Sequence, residues 1–132
     1  MSFRSPLAVA RGLGSAKEGA THWWLQRLYA AAMIPLVLWL VFSLALLGRF
    51  DYAHVVAWIA QPFVSLILIC LVITMFYHSS LGLYVVAEDY LHTKWMRLTV
   101  ITAINIGNIL LAIFSIFAIL KIAFGLAGGA GA

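Results

Sequence analysis

Charged residues are what this sequence most lacks. Asp, Glu, Lys and Arg make up 9% of its 132 residues, whereas a soluble domain carries about 25%. Hydrophobic residues account for 65%, so there are too few charged side chains to coat a water-facing surface. This scarcity excludes an ordinary soluble globule and indicates a chain whose surface lies against lipid or against other proteins.

Cysteine is nearly absent as well. Cys70 is the only one, and it lies within an apolar run. The chain alone therefore cannot form an internal disulfide, a cysteine-based zinc site or an iron–sulfur cluster. We expect the Cys70 thiol to be a small side chain of the core.

Acidic residues are fewer than basic ones. Eight Lys and Arg stand against four Asp and Glu, which gives a net charge of +4. A basic balance often accompanies nucleic-acid binding, but here the positive residues flank long apolar runs. An anionic membrane surface is therefore the expected partner of these charges, and nucleic acid is not.

The sequence contains long stretches without any charged residue. A span needs about 20 mainly apolar residues to cross roughly 30 Å of hydrocarbon. Three stretches contain no Asp, Glu, Lys or Arg: Leu28–Gly48 with 21 residues, Tyr52–Ala87 with 36 and Leu98–Leu120 with 23. The first and third each fit one membrane-spanning helix, but the second is too long for one span and too short for two.

Pro62 divides the second stretch. Proline is favoured in the first turn of a helix, where its missing N–H costs nothing, so we begin the second span there. The sequence thus predicts an all-α integral membrane protein with three transmembrane helices, over about residues 28–48, 62–90 and 97–122. Residues 51–60 are then a short interfacial segment, residues 1–27 an N-terminal arm, and residues 126–132 a flexible Gly/Ala tail.

The distribution of basic residues predicts the orientation of the spans. Arg4, Arg11, Lys17 and Arg27 precede the first span, and the loop after the second also carries basic residues, whereas the loop after the first has only Arg49. The positive-inside rule places the N-terminus and the 88–97 loop on the cytoplasmic side and the C-terminus outside. No segment resembles a cleaved secretory signal, and we expect a bacterial inner membrane rather than a mitochondrial one.

His78 is the residue least expected in its surroundings. It lies about 24 Å along the helix from Pro62 and about 12 Å from Val86 at the standard rise of 1.5 Å per residue, which places it inside the hydrocarbon. Ionisable residues at such depth are rare and are candidates for function. The open interpretations are a neutral histidine bonded to a neighbouring helix, a haem ligand, a proton relay and a quinone contact.

The neighbours of His78 favour a bulky ligand. Gly82, Val85 and Asp89 share its helix face, and a glycine one turn away leaves room for a flat macrocycle or another backbone. Neutral imidazole is a good ligand for haem iron. Since the chain offers one histidine at membrane depth, the second axial ligand of a six-coordinate haem must come from another subunit.

Two polar clusters flank the spans on the predicted inner side. The first is Glu88–Asp89–Tyr90, which is either a solvated helix end or a site where a tyrosine hydroxyl donates to a quinone carbonyl. The second contains His22 and Arg27, which serve either as an interfacial anchor or as partners of carboxylates such as haem propionates.

Two amides lie on the third span. Asn105 and Asn108 are three residues apart and therefore share a helix face. We expect them to form hydrogen bonds between helices, with a ligand contact as the alternative.

Two segments resemble a known family, the hydrophobic membrane anchor subunits of succinate dehydrogenase. The step from His78 through Gly82 to Asp89 and Tyr90 is similar to the HxxxG…DY segment of that family, and the residues from His22 to Arg27 resemble its H-[FW]-W-x-Q-R entry to the first helix. The resemblance covers about residues 14–125, three helices included. One departure is Leu28–Tyr29, where members often carry a small hydroxyl residue and Ala.

The resemblance implies a role for each matching residue. His78 corresponds to the axial ligand of a haem b shared with the cytochrome b subunit, Tyr90 to the tyrosine that hydrogen-bonds ubiquinone, and Asp89 to its neighbour in that site. Arg27 and His22 correspond to residues near the haem propionates or the quinone pocket. The implied partners are the cytochrome b, iron–sulfur and flavoprotein subunits, and no activity is expected of the chain alone.

Other functions fit parts of the pattern. The anchor of a quinol:fumarate reductase is the nearest, because the direction of electron flow is not written in an anchor sequence. A small proton-coupled transport component would use His78 as a relay, but the chain has no internal repeat of the kind that transporters show. A purely structural assembly factor is the third alternative.

Overall fold

Five helices make up the part of the chain that the computed structural model describes, residues 6–10 and 19–125. No strand occurs within these two ranges. In chain order the helices are α1 (Pro6–Ala10), α2 (Gly19–Leu47), α3 (Tyr52–Ile59), α4 (Pro62–Tyr90) and α5 (Lys94–Ala123).

Three of these helices are long and apolar enough to cross a membrane. They are α2, α4 and α5, with 29, 29 and 30 residues, each as long as or longer than a span requires. The all-α, three-helix prediction is therefore confirmed. The tail predicted over residues 126–132 lies outside the described residues.

The helix ends follow local signals in the sequence. Pro62 is the first residue of α4, as its fixed φ favours, and α4 ends at Tyr90. By contrast, α2 begins at Gly19, nine residues before the uncharged stretch from which we predicted the first span. A charged residue marks where a helix leaves the lipid, but it does not end the helix. Arg27 therefore lies within α2 and not in an arm that precedes α2.

The three long helices form an open layer with α4 in the middle. Helix α4 packs against both α2 and α5, and all the buried residues of the described chain lie on α4, among them Val64 and Ala87 at 5% exposure. Among the described residues, no large side chain is fully buried. A layer this open leaves most of its apolar surface for lipid and for other subunits.

Cys70 shows how open the layer is. We expected a core thiol, but Cys70 is exposed on α4. The prediction was wrong because lipid is as apolar as a protein core, so an apolar neighbourhood in the sequence does not distinguish the two environments.

Aromatic stacking joins α2 to α4. The ring centroids of Tyr29 and Tyr77 lie 4.3 Å apart, a separation at which such ring pairs are attractive. Tyr29, which with Leu28 departs from the pattern of the family that the sequence resembles, supplies a packing contact here.

An amide–hydroxyl bond joins α5 to α4. The Asn108 amide donates to the Ser80 hydroxyl at 2.8 Å, which confirms the expected interhelical hydrogen bond at this position. Asn105, by contrast, is exposed, so its predicted role is not fulfilled within this chain.

Replacing Asn108 by Leu is expected to weaken the α4–α5 contact modestly. Interhelical hydrogen bonds in membranes contribute about 0.6 kcal/mol on average, so the loss should be of that size. Unfolding of the N108L, S80A and double variants in mild detergent measures it. Equal destabilisation by the double variant and by each single variant supports the bond, whereas simple additivity contradicts it.

Helix α3 covers the end of the layer opposite to Arg27. Asp51 is its N-cap residue, and its carboxylate lies 2.7 Å from Nδ1 of His54. This hydrogen bond holds the pKa of Asp51 below the ordinary value of 3.8, so the cap persists until the pH falls below that value. Trp58 of α3 stacks on Trp39 of α2, with ring centroids 6.1 Å apart.

Candidate functional site

His78 lies near the middle of α4 and faces a groove shared with α2. Its Nδ1 atom is buried and has no hydrogen-bond partner. Burying an imidazole nitrogen without a partner costs free energy, so the position is not explained as a satisfied core histidine. Because Nδ1 is enclosed, Nε2 is the nitrogen left to take a ligand.

The groove beside His78 is lined by apolar side chains. Its volume is about 380 Å³. The residues of α2 that line it are Ala30, Met33, Ile34, Val37 and Leu38. Apart from the imidazole, none of these residues carries a polar side chain, so the groove suits a flat apolar ligand that meets the protein through one nitrogen.

Gly82 leaves space one turn beyond His78. A Cβ built at Gly82 would meet nothing within 4 Å. The glycine is therefore not required by packing within this chain, and the role expected for it stays a prediction.

The described residues contain no group of three or more His, Cys, Asp or Glu side chains that could hold a metal ion. The described residues thus offer His78 no partner ligands of this kind. The observed donor set, one imidazole facing an apolar groove, fits a haem iron and does not fit a structural zinc site.

Arg27 lies on the side of α2 that lines this groove. It is seven residues, or about 10 Å, from Ile34 along the helix, at nearly the same angle around the axis. Its guanidinium carbon sits 3.6 Å from the ring centroid of Trp23, a cation–π arrangement that holds the group at the end of α2. His22 lies in the first turn of α2, and its side chain is outside the described part.

Asp89 and Tyr90 form the last turn of α4. Tyr90 is 78% exposed, and Asp89 is exposed beside it. Tyr90 lies about 18 Å along the helix from His78. Asp89, eleven residues after His78, is the one of the two acids that shares its helix face. The neighbouring Glu88 accepts a hydrogen bond from the Tyr84 hydroxyl at 3.0 Å.

The structure thus brings the predicted residues together in part. His78 and Arg27 border one side of the α2–α4 pair, while Asp89 and Tyr90 are exposed at the end of the layer. Sequence reasoning missed Thr74, which is buried on α4 one turn before His78. The signal was present, because residues four apart share a helix face.

Comparison with known proteins now identifies the family. The family model described as the succinate dehydrogenase/fumarate reductase transmembrane subunit matches residues 1–115. That match covers most of the chain, including the groove, Tyr90 and most of α5.

Several relatives match most of the chain. A succinate dehydrogenase hydrophobic membrane anchor subunit from Rickettsia bellii is 36% identical over 89% of this chain and 94% of its own length. The corresponding subunit from Paracoccus denitrificans is 26% identical over 95% and 96%, and a succinate dehydrogenase membrane anchor subunit from Reclinomonas americana is 30% identical over 68% and 78%. The chain therefore belongs to the family of succinate dehydrogenase/fumarate reductase transmembrane subunits, as its two sequence segments indicated.

Proposed function

We propose that this chain is the membrane anchor subunit of a succinate:quinone oxidoreductase, respiratory complex II. The family match over residues 1–115 supports this role. The names of its relatives, all succinate dehydrogenase subunits, favour the succinate-oxidising enzyme over a quinol:fumarate reductase. The chain is not catalytic alone, and its contribution is to hold a cofactor and a substrate in place.

A haem b beside His78 is the first part of the proposal. The observation that supports it is the half-buried imidazole with an enclosed Nδ1, facing an apolar groove within the membrane. His78 would give Nε2 to the iron, Gly82 would leave room for the ring, and a cytochrome b subunit would supply the second axial ligand. When bound, the haem accepts and returns single electrons.

Arg27 is placed to meet the acidic edge of that haem. The haem propionates are carboxylates, and a guanidinium at a membrane interface pairs with carboxylates in a bidentate way. Trp23 packs against this guanidinium, and Arg27 shares the helix face of Ile34 in the groove. We place His22 in the same neighbourhood on the basis of the sequence resemblance.

The end of α4 is the second part of the proposal. Tyr90 is exposed to a partner or substrate, and its hydroxyl would donate a hydrogen bond to a carbonyl oxygen of ubiquinone. Reduction of a quinone to a quinol consumes two protons, and Asp89 lies beside Tyr90 at the edge of the membrane, where water reaches it. Asp89 would therefore pass protons to the reduced oxygen.

The distribution of basic residues supports one orientation of the three spans, and the relatives suggest the kind of membrane. The ends of α2 and α4 that carry Arg27 and Tyr90, and the start of α5 at Lys94, would face the cytoplasm. The iron–sulfur and flavoprotein subunits would dock on that face, so electrons from succinate would arrive next to the quinone. We infer a bacterial inner membrane because relatives such as the one from Rickettsia bellii are bacterial, although the relative from Reclinomonas americana is mitochondrial.

The subunit composition and haem content of the gently solubilised complex test this function. We expect a flavoprotein, an iron–sulfur subunit and a second membrane subunit to co-purify, with a b-type band in the reduced-minus-oxidised spectrum. A preparation with neither the flavoprotein nor the b-type band would contradict the proposal and favour a transport role.

A further inference from the structure

The unpartnered nitrogen of His78 raises a question that the proposed haem does not answer. Iron would occupy Nε2, yet the atom without a partner is the buried Nδ1. A metal-bound histidine almost always donates its other ring N–H to an acceptor, which fixes the tautomer and the ring orientation. The acceptor for His78 must lie where Nδ1 is buried.

The geometry of a helix favours an acceptor in the turn of α4 that precedes His78. Long side chains on a helix lean toward its N-terminus, over the residues three and four positions earlier. For His78 these are Met75 and Thr74. The thioether of Met75 is a weak acceptor, whereas Thr74 carries a hydroxyl and is buried, at 9% exposure.

The Thr74 hydroxyl already donates a hydrogen bond within α4. Its proton goes to the backbone carbonyl of Cys70, at 2.7 Å. A hydroxyl has one proton and two lone pairs, so toward the imidazole Oγ1 of Thr74 can only accept. An acceptor at this position requires the proton of neutral His78 to be on Nδ1, which leaves the lone pair of Nε2 free for a metal.

We propose that Thr74 is the positioning residue of His78: its hydroxyl accepts the Nδ1 proton when the metal is bound, and so selects the tautomer that can bind iron. The inference rests on the proposed function, because it needs a metal at Nε2. A hydrogen bond at Nδ1 makes the imidazole a stronger electron donor, so Thr74 stabilises ferric haem relative to ferrous haem.

Redox titration of the b-type band in the intact complex tests this role. Thr74→Val keeps the shape and removes the hydroxyl. Because the bond is present in both oxidation states and is stronger in the ferric one, its loss should lower the ferric-to-ferrous ratio at a fixed potential by up to about fivefold, an upward shift of at most roughly 40 mV for one electron. Thr74→Ser keeps the hydroxyl and should retain the original potential.

Thr99→Val is the matched control. Thr99 also donates to a carbonyl four residues earlier, that of Trp95 at 3.0 Å, but it is exposed near the start of α5. Its loss should leave the haem potential unchanged, which separates the effect of the Nδ1 bond from that of losing a threonine on a helix.

Each outcome decides the inference. An unchanged potential in T74V would overturn it, as would equal shifts in T74V and T74S. If T74V releases the haem, T74S decides: haem retained at the original potential supports the inference, and haem lost or shifted contradicts it. A wild-type complex that contains the flavoprotein but no b-type band would instead overturn the proposed haem, and with it the need for a positioned imidazole, while leaving the anchor role in place.

Discussion

Replacing His78 by Ala is expected to remove the b-type haem band from the purified complex. The chain offers one imidazole to the α2–α4 groove, and the described residues hold no cluster that could take its place. Loss of that axial ligand should therefore lower the haem content at least about tenfold, since even mutation of a group that only hydrogen-bonds to a metal ligand costs on the order of 10- to 100-fold in affinity. The reduced-minus-oxidised spectrum, normalised to subunit protein, measures it.

His54→Ala is the matched control for this change. His54 is an exposed histidine at the other end of the layer, bonded to Asp51, and its loss should leave the haem content unchanged. A full b-type band in the H78A complex would exclude His78 as the ligand, whatever happens to the stability of the assembly.

Replacing Tyr90 by Phe is expected to impair quinone reduction while sparing succinate oxidation. The substitution removes one hydroxyl and keeps the ring, so α4 should still end as it does. Leaving a quinone carbonyl without its donor costs about 1–3 kcal/mol, which corresponds to roughly 5- to 150-fold in rate or affinity. Succinate-dependent reduction of a water-soluble ubiquinone analogue should fall by that factor, whereas reduction of an artificial dye that accepts electrons earlier should not.

Tyr52→Phe controls for the loss of an exposed tyrosine hydroxyl. Tyr52 is 76% exposed, close to the 78% of Tyr90, but it lies at the start of α3, at the opposite end of the layer. We expect it to have no effect on either assay. An unchanged quinone reductase rate in Y90F would show that Tyr90 only anchors the end of the helix, as a structural assembly factor would require.

The sequence predicted the fold well because each span is a local property. About 20 apolar residues, Pro62 at a helix start and the acidic pair near Tyr90 at a helix end are all visible in one segment of chain. The N-terminal limit of α2 was harder, because nothing between Gly19 and Arg27 breaks a helix and the charge of Arg27 marks only the membrane boundary.

Contacts between helices were harder to predict, since they depend on register and on which face meets which. The pairing of Asn108 with Ser80 followed from polarity, because a buried amide in a membrane seeks a partner, but the identity of that partner did not. Cys70 was assigned to the core although it faces outward, since lipid and protein core select the same residues. Thr74 escaped notice because threonine is common in apolar helices and only the orphaned Nδ1 of His78 singles it out.

A density map of the intact complex tests the haem assignment most directly. The account predicts a porphyrin in the groove between this chain and a second membrane subunit, with Nε2 of His78 coordinated to its iron and a histidine or other ligand of the neighbouring chain on the opposite side. A map in which the His78 ring bonds to a hydroxyl or a backbone carbonyl, with no porphyrin beside it, would contradict the account.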